Sequence, residues 1–292
     1  MVNRFILQWH LSELCNLHCL HCYQENHTPI ALPYEDLLKI LNQYRELLKT
    51  NIKKDIRGKY KASFLGVLWS FINPLLQVLV YAIVFPYIMR VQTPNYLIFL
   101  ICGIIPWTWF TYSLSNGTTS ITNNANLIKK VYFPREILPI SIVTSGLINF
   151  FISCIIILIF VLFGGLGISW HLIFLPLIAL CQYIFTLAIV FLLSAFNVYV
   201  KDVEYMVVFL LNICFYATPV LYSVDMFKGS WLAWIFKLNP MAHFINAYRD
   251  IFYVHQVPQI MNLLLILLLS LIFLVVCFLV FNKFEKRFAE EV

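Results

Sequence analysis

Beyond residue 61 the charged residues divide the chain into long apolar stretches. No Asp, Glu, Lys or Arg occurs in 62–89, 91–128, 137–200, 205–224 or 251–282. About 20 apolar residues cross the hydrocarbon core of a bilayer as one helix, so four of these runs each hold one span. The run 137–200 is 64 residues long and carries Gly164, Gly165 and Gly167 near its middle, so it breaks into two spans joined by a tight turn. The pattern predicts six membrane-spanning helices, at about Val67 to Met89, Tyr96 to Asn116, Ile137 to Phe163, Leu172 to Asn197, Tyr205 to Tyr222 and Ile260 to Phe281. The fold class expected is an all-α integral membrane protein.

Upstream of the first span the period changes. Leu48, Ile52, Ile56 and Tyr60 recur every four residues, and Lys49, Lys53, Lys54, Arg57 and Lys59 occupy the remaining surface. This predicts an amphipathic helix in the membrane interface, its cations near lipid phosphates. Between the fifth and sixth spans, Ser223 to Gln259 contains W-L-A-W-I-F and N-P-M-A-H-F-I-N-A-Y-R-D, broken by Gly229 and Pro240. These pieces are too short to span, which predicts re-entrant or interfacial helices before the last span. Arg249 and Asp250 stand at the end of the second piece, where pairing or water contact is expected.

Composition agrees with a chain solvated by lipid. Hydrophobic residues make up 61% and charged residues 12%, against roughly 25% charged in an ordinary soluble domain. Charge placement sets the orientation: with both ends inside, the cytosolic flanks hold 13 basic residues and the opposite side holds four, Arg90, Lys228, Lys237 and Arg249. Residues 1–30 lack the features of a cleavable signal peptide. Cys102, Cys154, Cys181, Cys214 and Cys277 fall in predicted spans, where a thiol behaves as a small apolar group, and no disulfide framework is indicated. The net charge of +6 fits juxtamembrane contact with anionic lipid better than nucleic acid. The predicted spans contain no carboxylate for ion coupling, which argues against a secondary transporter.

Residues 1–48 read as a separate, soluble fragment of α/β character, with a strand-like run at Phe5 to Leu11 and an amphipathic helix near Tyr34 to Leu48. Cys15, Cys19 and Cys22 stand in a C-x3-C-x2-C spacing that suits three irons of a 4Fe-4S cluster. This resembles the start of radical S-adenosylmethionine enzymes, over about 48 residues only. A single strand and helix unit is too small to fold into that family's cofactor site alone, so a non-catalytic remnant is the expectation. His18 or His21 would make a weak zinc site the alternative. The domain division expected is 1–48 for this fragment and 49–292 for the membrane domain.

From about Leu47 to the end, separated motifs occur in order: R-G-K-Y-K-A-S-F-L-G-V-L-W-S-F-I-N-P-L, N-A-N-L-I-K-K-V-Y-F-P-R-E-I-L-P, N-V-Y-V-K-D-V-E and L-N-P-M-A-H-F-I-N-A-Y-R-D. In these the chain resembles the type-2 ABC exporter permeases, most of all those exporting O-antigen, wall teichoic acid and capsular polysaccharide. The resemblance implies a homodimer working with two copies of an ATP-binding subunit. No G-x4-G-K-[ST] loop occurs in the sequence, so ATP is expected on that partner and catalysis is not expected here.

The resemblance also implies a coupling helix in the polar loop from Asn116 to Glu136, docking on the ATPase. Lys129, Lys130, Arg135 and Glu136 are its charged positions, and Asn124 and Asn126 are suited to cap a short helix. The plainer reading is that the lysines only fix topology. Lys201, Asp202 and Glu204 form a second cytosolic turn with the same expected role. Relatives line a glycan path with aromatic rings, which makes Trp69, Tyr81, Phe85, Phe215 and Tyr216 the expected lining. Trp107, Trp109, Trp170, Trp231 and Trp234 read instead as an interfacial belt. The expected cargo is an undecaprenyl-pyrophosphate-linked glycan whose pyrophosphate meets Lys53, Lys54 and Arg57. A drug or small-lipid exporter and a membrane-anchored iron-sulfur enzyme are the rivals.

Overall fold

The computed structural model describes residues 34–58, 69–89, 93–130, 133–227 and 229–292. Among them every regular element is helical. In chain order they are α1 (Tyr34–Gly58), α2 (Trp69–Met89), α3 (Tyr96–Thr118), α4 (Ala125–Ile128), α5 (Ile137–Phe163), α6 (Leu175–Tyr199), α7 (Val203–Ala217), α8 (Leu232–Leu238), α9 (Pro240–Arg249), α10 (Ile260–Glu285) and α11 (Phe288–Glu291). α3, α5, α6 with its preceding 3-10 turn, and α10 are long and apolar enough to cross a membrane, while α2 and α7 carry shorter apolar stretches.

The distribution of apolarity is the reverse of a water-soluble bundle. α10 is the most apolar of the four long helices and the least buried, with Leu264, Leu268, Ile272, Val275 and Leu279 all exposed. α3 is the least apolar and the most buried, packed by α2, α5, α6, α7 and α9. In lipid no hydrophobic force drives helices together, so close packing and interhelical hydrogen bonds decide which helix sits inside. α3 meets both needs. A Cβ on Gly146 of α5 would come within 2.8 Å of the Trp109 ring, so only glycine admits that indole. Gln182 Nε2 on α6 donates to the Pro106 carbonyl of α3 at 3.0 Å.

Two sequence expectations change here. The fifth predicted span was to reach Tyr222, but α7 ends at Ala217. Thr218 precedes Pro219, which disfavours helical backbone, and it is extended at φ −113, ψ 137. Trp107 and Trp109 are not belt residues. Both point inward from the middle of α3, and Trp109 stacks on Phe150 at 4.9 Å. Trp170, Trp231 and Trp234 are exposed.

The turn between α5 and α6 is built as the glycines suggested, with Gly165 at φ 74 and Gly167 at φ 78, left-handed backbone that favours glycine. α9 begins on a cap legible in L-N-P: the Asn239 side chain accepts from Met241 N at 3.0 Å, and Pro240 takes the first turn. α1 is one continuous helix through residue 48, joining the two amphipathic stretches read separately from the sequence.

Candidate functional site

The chemistry collects at the two ends of the bundle, one carrying α4 and the other α8 and α9. At the α4 end, the loop after α3 forms a 3-10 turn, Thr122–Asn124, and then the single turn α4. Ile128 and Phe133 are buried and anchor the loop, leaving Asn126, Lys129 and Lys130 exposed on its surface.

Asn124 holds the N-cap position of α4 without capping it. Its Nδ2 donates backwards to the Ser120 carbonyl at 2.8 Å, because the residue is still inside the preceding turn. Asn126 lies within α4 rather than before it. Arg135 is engaged within the chain: its backbone N–H donates to Glu285 Oε1 at 3.2 Å, and its Nη1 donates to the Glu285 carbonyl. Glu136 stands at the start of α5, partly buried.

The second predicted turn, Lys201 and Asp202, is exposed at the end of α6. Just before it, Tyr199 packs on Phe284 at 5.2 Å and on Phe288 at 6.4 Å. α11 also touches α4, so the C-terminal segment roots both turns. Sequence reasoning missed this role. The alternation of Phe281, Phe284 and Phe288 at three- and four-residue spacing was its signal.

α1 packs along α5, and its inner face carries a carboxylate. Asp55 Oδ2 accepts from Tyr112 Oη of α3 at 2.7 Å and from Ser145 Oγ of α5. Asp55 lies three residues after Ile52 and seven after Leu48, which puts it on the apolar stripe, a clue the sequence offered and the basic setting hid. Beside it a cavity of about 480 Å³ is lined by Asn51, Lys54, Asp55, Tyr112, Asn116 and Asn124, among others. Lys54 of α1 and Asn124 of the loop, predicted for separate tasks, therefore share one cavity. Lys53 is exposed away from it, and the Arg57 side chain lies outside the described residues.

The aromatic candidates converge. Tyr81 packs on Phe85 at 5.7 Å and on Phe215 at 5.9 Å, and Phe215 on Tyr216 at 5.2 Å. Trp107 joins from α3, 5.8 Å from Phe215. The cluster therefore spans α2, α3 and α7, with Tyr216 exposed at its edge. The side chain of Trp69 lies outside the described residues, as do Cys15, Cys19 and Cys22. Among the described residues no group of three or more His, Cys, Asp or Glu is placed to hold a metal.

At the other end, Arg249 is buried but does not pair with Asp250. Its Nη1 donates to the carbonyls of Pro219 at 2.6 Å and Tyr222 at 3.4 Å, its Nη2 to Val220 at 2.6 Å and its Nε to Phe99 at 3.5 Å. The guanidinium also lies 3.5 Å from the centre of the Phe99 ring. Burial pulls its pKa down to about 9, still above neutrality, so the carbonyl cage holds a cation. The cage also fits the early end of α7, since the Pro219, Val220 and Tyr222 carbonyls turn toward the guanidinium instead of continuing a helix. Asp250 Oδ1 accepts from Gln256 Nε2 at 2.7 Å, and burial raises its carboxyl above the ordinary range.

Comparison with known proteins places this architecture. The family model described as ABC-2 type transporter matches residues 46–253. The O-antigen export system permease protein RfbA of Myxococcus xanthus is 36% identical over 257 residues, 88% of this chain and 99% of that protein. Two proteins of the same name from Klebsiella pneumoniae are 38% and 37% identical, each over 84% of this chain and 94% of its own length. The match takes in α1 from residue 46, the loop with Lys129 and Lys130 and the Arg249 cage, and the chain belongs to the ABC-2 type transporter family, as a transport permease rather than an enzyme.

Proposed function

We propose that this chain is the membrane subunit of an ATP-driven exporter that moves a lipid-linked polysaccharide of O-antigen type out of the cytoplasm across a bacterial inner membrane. The observation that carries this reading is the 36–38% identity to three O-antigen export permeases over 84–88% of the chain. Six crossings, with α2 and α7 completing the four longer helices, put both termini and the α4 loop in the cytosol. Two copies form the path, and two ATP-binding subunits dock on the exposed Asn126, Lys129 and Lys130 and on the Lys201–Asp202 turn. Asn124, Arg135 and Glu136 support that surface from within the loop.

The working sequence follows from which parts touch. An undecaprenyl-pyrophosphate head group meets Lys53, Lys54 and Arg57 on α1. Partner closure on the α4 loop reaches the same helix through the cavity shared by Asn124 and Lys54 and through the Asp55 contacts to α3 and α5. The sugar chain then slides past Trp69, Tyr81, Phe85, Phe215 and Tyr216, whose flat faces pack sugar C–H groups without holding any one residue tightly.

The test is Lys129→Ala combined with Lys130→Ala in the assembled transporter. Permease-stimulated ATP hydrolysis and surface polysaccharide are expected to fall together while the folded permease persists in the membrane. Unchanged hydrolysis and export would remove the docking assignment. Surface polysaccharide that survives deletion of the gene, with altered drug sensitivity, would replace the glycan by a small-molecule cargo.

A further inference from the structure

A polar hollow outside the proposed path lies at the α9 end. There the end of α9, the segment leading to α10 and the first turn of α10 face residues 93–94 and 223–226. This cavity has a volume of about 720 Å³, within the range of roughly 300–1,000 Å³ typical of small-molecule sites. It is lined by Asn246, Asp250, Gln256, Gln259 and Asn262, with the rings of Phe99 and Tyr253 alongside.

Three features make it a built site rather than a gap between helices. The first is the backbone. Asp250–Val254 is a π-helical turn, and His255 follows at φ 59, ψ 50, left-handed backbone unusual for a residue with a side chain. The turn is closed by Gln256 N donating to the Asp250 carbonyl at 2.9 Å, and it brings the Asp250 and Gln256 side chains together at the cavity wall.

The second feature is the ordering of the amides. Gln256 Nε2 is spent on Asp250 Oδ1, and Asn262 Nδ2 donates to Gln259 Oε1 at 2.6 Å. Each pair thereby fixes which atoms remain for a ligand: Asp250 Oδ2, Gln256 Oε1 and Asn262 Oδ1 as acceptors, and Gln259 Nε2 as a donor. The third is charge. Arg249 borders the cavity, but its donors are already aimed at four carbonyls, so among the described residues that line the hollow no Lys or Arg is left free for a phosphate or carboxylate ligand.

Closely spaced amide acceptors and donors, with one carboxylate acceptor, beside aromatic rings match a polyol, whose hydroxyls each both give and accept while its C–H face lies on a ring. We infer that this cavity is a saccharide-binding site for one or two uncharged sugar residues on the extracytoplasmic face. It would hold the emerging glycan after it leaves the aromatic path and oppose its return. The inference rests on the orientation and cargo class proposed above.

The full-length permease, reconstituted with its ATP-binding partner in lipid nanodiscs, is titrated with delipidated repeat-unit oligosaccharide cleaved from the producing cell's own surface polysaccharide. Contact is read by saturation transfer to the sugar ring protons. Saturable binding is expected for the wild type. Gln256→Ala with Asn262→Ala should weaken it about tenfold or more, the loss expected for two hydrogen bonds. Asn246→Trp, which fills the hollow, should abolish it, with partner-stimulated ATP hydrolysis in each variant confirming an assembled transporter. Absence of saturable binding, binding unchanged in both variants, or displacement by glycerol 1-phosphate but not by the sugar would overturn the site. If the wild type exports glycan but does not bind the oligosaccharide, this inference alone fails. If deletion of the gene leaves surface polysaccharide intact, the exporter reading itself fails.

Discussion

Each end of the bundle holds one charged side chain through uncharged partners, the partly buried Asp55 at one and the buried Arg249 at the other, and the partners differ. At the α4 end, Asp55 is held by the hydroxyls of Tyr112 and Ser145, two side chains on two different helices, next to a cavity of about 480 Å³. At the α9 end, Arg249 borders the larger cavity of about 720 Å³ but is held by four main-chain carbonyls and a ring face and packs closely on α3: a Cβ on Gly103 would fall 3.0 Å from its Nη2 and 2.9 Å from the Val220 carbonyl. Hydroxyls rotate and exchange partners, whereas carbonyls fixed in a turn do not. Under the export function proposed above, the α9 end is expected to act as a pinned frame and the α4 end to move with the ATP-binding partner.

The sharpest way to break this comparison is Arg249→Met. It leaves the carbonyls of Pro219, Val220 and Tyr222 without their donor, and losing charge-assisted hydrogen bonds in a buried site costs roughly 3 kcal/mol. A clear drop in the unfolding temperature of the detergent-solubilised protein is expected. An unchanged Tm would mean that the cage is not what shapes the end of α7. Asp55→Asn should act in the opposite proportion. Its amide preserves the shape and accepts one hydroxyl, so stability should change by about 1 kcal/mol or less. The coupling of partner ATP hydrolysis to export should nevertheless fall, as measured by glycan exported per ATP. A variant that unfolds would instead place Asp55 in the frame.

The same contrast explains what could be read from the sequence. α5 runs from Ile137 to Phe163 as predicted, because a charge before it and glycines after it mark both ends locally. The cap of α9 was equally local in L-N-P. Tyr81 and Phe85 were visible as neighbours at i and i+4 on one helix, and their meeting with Phe215 followed from the packing of α2 and α7 around α3. Features set by distant partners were hidden. The residues Ala217 to Tyr222 are apolar enough to continue a span; Pro219 breaks the helix locally, but the carbonyls that then turn inward meet Arg249, some 30 residues further along the chain.

Asp55 was obscured for a related reason. Among Lys53, Lys54 and Arg57 an acid reads as one more solvated charge, and only the hydroxyls of α3 and α5 reveal that it faces inward. Trp107 and Trp109 were misassigned because hydropathy does not distinguish an indole facing lipid head groups from one facing a glycine on the next helix.

The account depends most on which side of the membrane the α4 loop occupies. In a cysteine-free background, Lys130→Cys and Lys237→Cys are each exposed to a membrane-impermeant maleimide on spheroplasts with a sealed inner membrane. Labelling is predicted at position 237 at once, and at position 130 only after the membrane is permeabilised. Labelling of position 130 in sealed spheroplasts would put the docking loop out of reach of ATP and contradict the account.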